Sequence, residues 1–324
     1  MKGMRVVVSG MGGELGTRVT NLLEAHPGVE AVMGIDLDPP RRRIPRATFH
    51  RVDPRDRRRV VPLVEGFAPT AVVHLGVYEP NARSAPATAA ALTEAAAVNV
   101  LGAAARCRTL DRIVVRSGLE VYGRARGAPI RPDEHVETRP TCAFGRSLQR
   151  VEHVASAAAR QAGVPAARLR LATVVGPHVP SPLGRYLRLP VVPIGAWSAL
   201  PFSLLHQEDA AAACVRALET GADGALNVVG PGAVTADQAV RLGGRVPVPV
   251  IGPGWLVARM AAELFGAPLP DHVRELLVRG RCGDGARARA VLGFEPAQST
   301  TDVVHQLYEW AEVVQLDPAH RDVA

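Results

Sequence analysis

The sequence predicts an α/β fold, with a doubly wound parallel sheet followed by a smaller C-terminal lobe. Three observations carry that reading. Short β-branched runs alternate with stretches of helical period from the N-terminus to Val229. The first run ends in a glycine turn that opens a helix, Gly10-Met-Gly-Gly13-Glu-Leu-Gly16. After Gly176 the pattern breaks into a Pro-rich, irregular stretch.

Bulk properties narrow the options. A chain of 324 residues suits one large α/β domain with an appendage, or two modest domains. The formal charge of +7 raises an anionic partner such as nucleic acid. However, the cations are arginines spread along the chain without interleaved aromatics, so we expect a composition bias and no nucleic-acid partner. Lys2 is the only lysine. Cys107, Cys142, Cys214 and Cys282 form no CxxC or Cys/His cluster, which predicts reduced thiols and no metal site. The N-terminal apolar run is too short for a signal-peptide core, and the Ala-rich stretch 85–105 is broken by Thr88, Thr93, Glu94 and Asn99. The expectation is a cytoplasmic protein without a membrane partner.

The opening strand, loop and helix are the most informative stretch. Gly10 permits the tight turn, Gly13 lets a pyrophosphate approach bare backbone, and Gly16 lets the helix lie close to the strand. Helix N-terminal amides then face the phosphates. An acid, Asp36, closes the next strand about 20 residues on, where a dinucleotide fold places its ribose ligand. These features predict a Rossmann-type, dinucleotide-binding domain. Asp36 favours NAD, whereas Arg41, Arg42 and Arg43 just beyond it could grip the extra phosphate of NADP. Asp53 ends a third strand and either meets the adenine edge or caps the helix 57–67.

Residues 69–77 read as a buried fourth strand. His74 within it has no second ligand at metal spacing and reads as a satisfied core histidine. The loop Tyr78-Glu79-Pro80-Asn81 follows at the carboxyl end of that strand, where α/β sheets place ligands. A long Ala-rich helix over 88–107, a strand and exit loop over 111–123, a helix through 159 and a sixth strand over 167–177 complete the domain. Arg185, Tyr186 and Arg188, in the irregular stretch, are candidates for an anionic substrate such as a diphosphate. Residues 204–220 read as a strand and helix, 225–229 and 246–251 as strands, and 255–265 and 303–314 as helices. The expected division is 1–176 plus 203–232 for the dinucleotide domain, 177–202 plus 233–298 for the smaller substrate lobe, and 299–324 for a C-terminal helix and tail.

Taken in order, these motifs resemble the extended short-chain dehydrogenase/reductases, the nucleotide-sugar epimerases and dehydratases, and most nearly UDP-glucose 4-epimerase-like proteins of actinobacteria. His74-Leu75-Gly76-Val77 stands for HLAA, Asn99-Val-Leu-Gly102 for NVxG, and Val121-Tyr122-Gly123 follows the fifth strand. Leu204 to Ala210, Leu226-Asn227-Val228-Val229-Gly230 and Leu292-Gly293-Phe294-Glu295-Pro296 match later landmarks. The resemblance implies a dinucleotide held by Gly10, Gly12, Gly13, Glu14, Leu15, Gly16, Asp36, Asp53, Leu75, Gly76, Val77 and Asn99. It also implies a nucleotide-sugar substrate near Thr173, Arg185 and Tyr186, and a homodimer seam along the helices 88–107 and 144–159.

The chemistry is where the chain departs from that family. Its enzymes use a serine and a YxxxK helix, in which the tyrosine moves a proton and the lysine lowers the tyrosine pKa. Here the positions hold Gly118, Phe144 and Leu148, and Thr173 replaces an asparagine on the following strand. Ser117, Tyr78, Glu79, Glu120, Cys142 and His135 are the candidates for a substitute acid or base, with Tyr78 and Glu79 the best placed. Arg146 offers a cation near the ribose but cannot transfer a proton. Two readings follow. One is a dinucleotide-binding or dinucleotide-sensing protein with a degenerate catalytic centre. The other is an active NAD-dependent epimerase/dehydratase with a substitute acid/base.

Overall fold

The computed structural model describes residues 3–196 and 199–313, and the side chains to residue 309. Lys2, Trp197, Val314 and the tail to 324 lie outside the described residues. In chain order the elements begin β1 (Met4–Ser9), α1 (Glu14–Ala25), β2 (Val29–Asp36), β3 (Thr48–Arg51), α2 (Arg57–Phe67), β4 (Ala71–His74) and α3 (Pro86–Ala104). They continue with β5 (Arg112–Gly118), α4 (Ala143–Ala162), β6 (Ala166–Leu171), β7 (Thr173–Val175), α5 (Pro182–Leu187), β8 (Val191–Gly195) and β9 (Leu204–His206). The last are α6 (Gln207–Thr220), β10 (Gly224–Val228), α7 (Ala236–Leu242), β11 (Val246–Val250), α8 (Gly254–Leu264), α9 (Asp271–Arg279), α10 (Ala286–Leu292) and α11 (Thr300–Val313).

Seven strands form one parallel sheet in the order β10-β6-β5-β4-β1-β2-β3. The strand order reverses between β1 and β4, so a crevice opens at their carboxyl ends. Continuous Val and Ala runs fit strands covered on both faces by helices: Val6, Val7, Val8, Val72 and Val73 are all fully buried. One core lies on each face of the sheet. Among the described helices, α3 alone is long and apolar enough to cross a membrane, and more than half of it is buried in this domain.

A second core holds the smaller lobe together, joining Leu183, Tyr186, Phe202, Val240, Leu276 and Val303. Its two-stranded sheet pairs β8 with β11. The strand predicted over 167–177 is interrupted at Ala172. Its second half, β7, leaves the main sheet to pair with β9, which carries the chain towards the lobe. α10 packs on α6 and β10, although the sequence division assigns residues 286–292 to the smaller lobe. α11 contributes Val303, Val304 and Leu307 to the smaller lobe's core.

Candidate functional site

The glycine turn shapes the floor of the crevice. Gly10 has φ +79°, and a Cβ there would come within 2.6 Å of the Leu75 carbonyl carbon. A Cβ on Gly16 would lie 2.0 Å from the Gly10 carbonyl oxygen, so only glycine lets α1 pack this tightly. Gly13 is different. A Cβ there would meet only the Gly10 oxygen at 3.4 Å, an ordinary contact, and its backbone (φ −71°) suits any residue. The protein's own atoms therefore do not require glycine at Gly13, and the space it leaves opens on the crevice. No side chain caps α1, so its first-turn amides face the same space.

Glu14, Leu15, Asp36, Leu75, Gly76, Val77, Tyr78 and Glu79 line this crevice with the glycines. Glu14 is buried but ion-paired, with Arg18 Nη2 at 2.9 Å and Arg42 at 3.9 Å. Asp36 Oδ2 accepts from Gly12 N at 2.9 Å, and its Oδ1 accepts from Leu37 N at 2.7 Å and from the Tyr78 hydroxyl at 2.9 Å. Burial raises the Asp36 pKa despite these donors. Burial and the neighbouring Asp36 both drive the Tyr78 pKa upward. The Tyr78 hydroxyl is thus engaged at the Asp36 end of the crevice.

Other expected cofactor ligands have structural duties. Asn99 Nδ2 donates to the Pro54 carbonyl at 2.8 Å, tying α3 to the loop before α2. Asp53 accepts from Arg55 Nη2 at 2.6 Å, and the helix cap is Asp56 instead. Arg41, Arg42 and Arg43 lie exposed on the loop beyond β2. His74 is fully buried, its Nδ1 2.6 Å from Ser9 Oγ, in agreement with the core reading.

At the carboxyl end of β5 the side chains alternate. Ser117 turns behind the sheet and donates to Glu152 Oε1 at 2.6 Å. Glu152 is locked to Arg170 by bonds of 2.9 and 2.8 Å, and Arg170 Nη1 donates to the Tyr122 hydroxyl at 2.8 Å. The Ser117 hydroxyl is thus engaged by the Glu152–Arg170 pair. Arg116, Ser117 and Gly118 line a small cavity beside the crevice, together with Glu79, Glu120, Phe144, Leu148 and Thr173.

That cavity is lined by charged side chains beside Phe144 and Leu148. A Cβ on Gly118 would fall 2.2 Å from Glu120 Oε2, so the Glu120 carboxylate occupies the room of a residue-118 side chain. Glu120 Oε1 accepts from Arg281 Nη1 at 3.0 Å, and Arg281 Nη2 also donates to Glu275 at 3.0 Å. Phe144 packs on the His272 ring, with centroids 4.9 Å apart, and His272 Nε2 lies 3.0 Å from Glu79 Oε1. Burial lowers the Arg116 pKa, opposed by the charges of Glu79 and Glu120.

The remaining candidates lie elsewhere. Tyr186, expected at a substrate, is fully buried in the smaller lobe's core and donates to the Pro193 carbonyl at 2.8 Å. Arg185 donates to the Asn81 carbonyl, and Arg188 to the Leu307 carbonyl at 2.9 Å. Cys142 caps α4 with its thiol pKa pushed up to about 11 by burial, while His135 and Arg146 are exposed. Sequence reasoning missed Arg116, His272, Glu275 and Arg281. His272 and Glu275 lie one turn apart on α9, and that i, i+3 spacing was their only signal among the helix's other charged residues. Among the described residues no cluster of three or more His, Cys, Asp or Glu could hold a metal.

With this geometry in place, the comparisons are consistent. The model of the NAD-dependent epimerase/dehydratase family matches residues 6–230. The chain belongs to that family. An uncharacterised protein of Mycobacterium tuberculosis is 29% identical over 98% of this chain and 86% of its own length. Among solved structures, the UDP-glucose 4-epimerase of Thermotoga maritima, crystallised with UDP-glucose, superposes with a TM-score of 0.75 at 20% identity, covering 96% of this chain and 99% of its own. That of Brucella ovis, in complex with NAD, gives a TM-score of 0.72 at 21% identity over 94% and 97%.

Proposed function

We propose that this protein binds NAD in the crevice at the head of β1 and does not run the family's usual sugar oxidation there. The cradle fits the dinucleotide. Gly13 leaves room that the protein itself does not need, the uncapped α1 amides suit a pyrophosphate, and Asp36 stands where an adenosine ribose would lie. NAD, when bound, is a hydride acceptor. What this chain lacks is the partner for that chemistry: Phe144 has no proton to exchange, Leu148 has no charge, and Glu120 fills the space beside Gly118.

The observation that carries the reading is the pairing of a preserved cradle with a catalytic corner rebuilt as a buried Glu120–Arg281–Glu275 ion network. In this reading Asp36 and Tyr78 set the adenosine end, and the network fixes the wall of the far end. The protein is then a cytoplasmic dinucleotide binder or sensor, forming a homodimer along α3 and α4, and able to seat a nucleotide sugar without converting it. NADP is the alternative cofactor, through Arg41, Arg42 and Arg43.

A second reading rests on Glu79, which lines both cavities and is paired with His272. That couple could move a proton in place of the missing tyrosine. Incubating NAD-loaded protein with UDP-glucose separates the two: we expect no UDP-galactose and no NADH. Turnover that vanishes in Glu79→Gln would overturn the first reading in favour of the second.

A further inference from the structure

Buried arginines in this chain are generally spoken for. Arg170 is held by Glu152, Arg281 by Glu120 and Glu275, Arg18 by Glu14, and Arg124 by the carbonyls of Arg279 and Pro129. Arg116, half-buried at the carboxyl end of β5, differs from these four. Among the described residues no hydrogen bond or ion pair reaches its guanidinium, although it lines both the crevice and the small cavity. The two carboxylates whose charges it feels are engaged elsewhere, Glu79 with His272 and Glu120 with Arg281.

We propose that Arg116 is an anion receptor, and that the ligand seated beside the dinucleotide presents a carboxylate to it. The inference deepens the NAD-binding reading and rests on it for the identity of the neighbouring ligand. Three features support it. First, Arg116 lines both the crevice and the small cavity from the carboxyl end of a central strand. Second, an arginine remains a cation in a half-buried setting, and the two carboxylates whose charges it feels are paired elsewhere, so its donors are open to an incoming anion. Third, size and shape select the anion. The small cavity offers about 20 Å³, room for little more than a single water-sized group. Among anions that a guanidinium fork takes in two bonds, a planar carboxylate is smaller than a tetrahedral phosphoryl group and suits this narrow setting better.

The test uses the full-length protein, NAD-free and NAD-saturated, titrated with sodium acetate and with inorganic phosphate at constant ionic strength. Wild type is compared with Arg116→Gln and Arg116→Lys. We expect saturable acetate binding in wild type, weakened by about tenfold or more in Arg116→Gln, since a charged hydrogen bond is lost. Phosphate should bind less tightly than acetate. If Arg116→Gln does not fold, Arg116→Lys decides. A point charge without the fork should weaken acetate, and equal affinity contradicts the two-pronged receptor. Acetate that fails to bind, or binds both proteins alike, overturns the proposal. Phosphate equal to or better than acetate reassigns the ligand to a phosphoryl group and contradicts the carboxylate. Loss of NAD affinity in Arg116→Gln makes Arg116 a dinucleotide contact, which also overturns it. Arg116-dependent acetate binding in a protein that ignores NAD leaves the receptor standing and removes only the dinucleotide reading.

Discussion

Glu120 and Gly118 share the space of one side chain: a Cβ on Gly118 would sit 2.2 Å from Glu120 Oε2. The carboxylate cannot swing away freely, because Arg281 holds its other oxygen at 3.0 Å in a setting where both side chains are nearly buried. Gly118→Ser should therefore destabilise the protein by about 1–3 kcal/mol, the usual range for overpacking a core. Chemical denaturation measures it. An unchanged midpoint would show that Glu120 relocates without strain.

The network behind β5 should matter for stability and not for binding. Removing one partner of a buried ion pair costs about 3–5 kcal/mol. Glu152→Ala strips both Arg170 and Ser117 of their acceptor. We expect a loss in that range by urea denaturation, with the NAD affinity of the folded fraction preserved. A selective loss of NAD affinity would mean that the network reaches the crevice.

Gly12 and Gly13 are neighbours with opposite expectations. A Cβ on Gly12 would lie 1.9 Å from the Asp38 carbonyl oxygen, whereas one on Gly13 meets nothing closer than 3.4 Å. Gly12→Ala should distort the turn and lower the melting temperature. Gly13→Ala should melt like wild type and bind dinucleotide less tightly. Melting curves that rank the two the other way would reject the packing account.

His74 makes stability depend on pH. Burial depresses its pKa from 6.5 to about 4. Between those values the unfolded chain binds the proton and the folded chain does not, so stability rises with pH through this window and is lost as pH falls. The full effect is about 3 kcal/mol for a shift of this size. Denaturation at several pH values should show a fall from pH 7 to pH 4 that is largely absent in His74→Leu. Parallel curves for the two proteins would contradict it.

The parallel sheet and its cradle were legible because they rest on local signals. β-branched runs, a glycine turn and an acid at a strand end are each fixed by backbone geometry within about 30 residues. That Phe144 and Leu148 cannot do acid/base work was also legible from their side chains alone. The charged network beside them was not. Glu120, His272, Glu275 and Arg281 come from segments up to 161 residues apart, joined only by folding of the smaller lobe onto the sheet. The burial of Tyr186 in the smaller lobe's core was hidden for a related reason: sequence names the side chain but not which face of its element turns inward.

The central claim is a dinucleotide cradle that binds, and its most direct test is isothermal titration of wild type and Gly13→Glu with NAD, NADH, NADP and NADPH. The account predicts that wild type binds the NAD pair and that Gly13→Glu, folded by circular dichroism, does not. Failure of wild type to bind any of the four, or equal binding by Gly13→Glu, would contradict it.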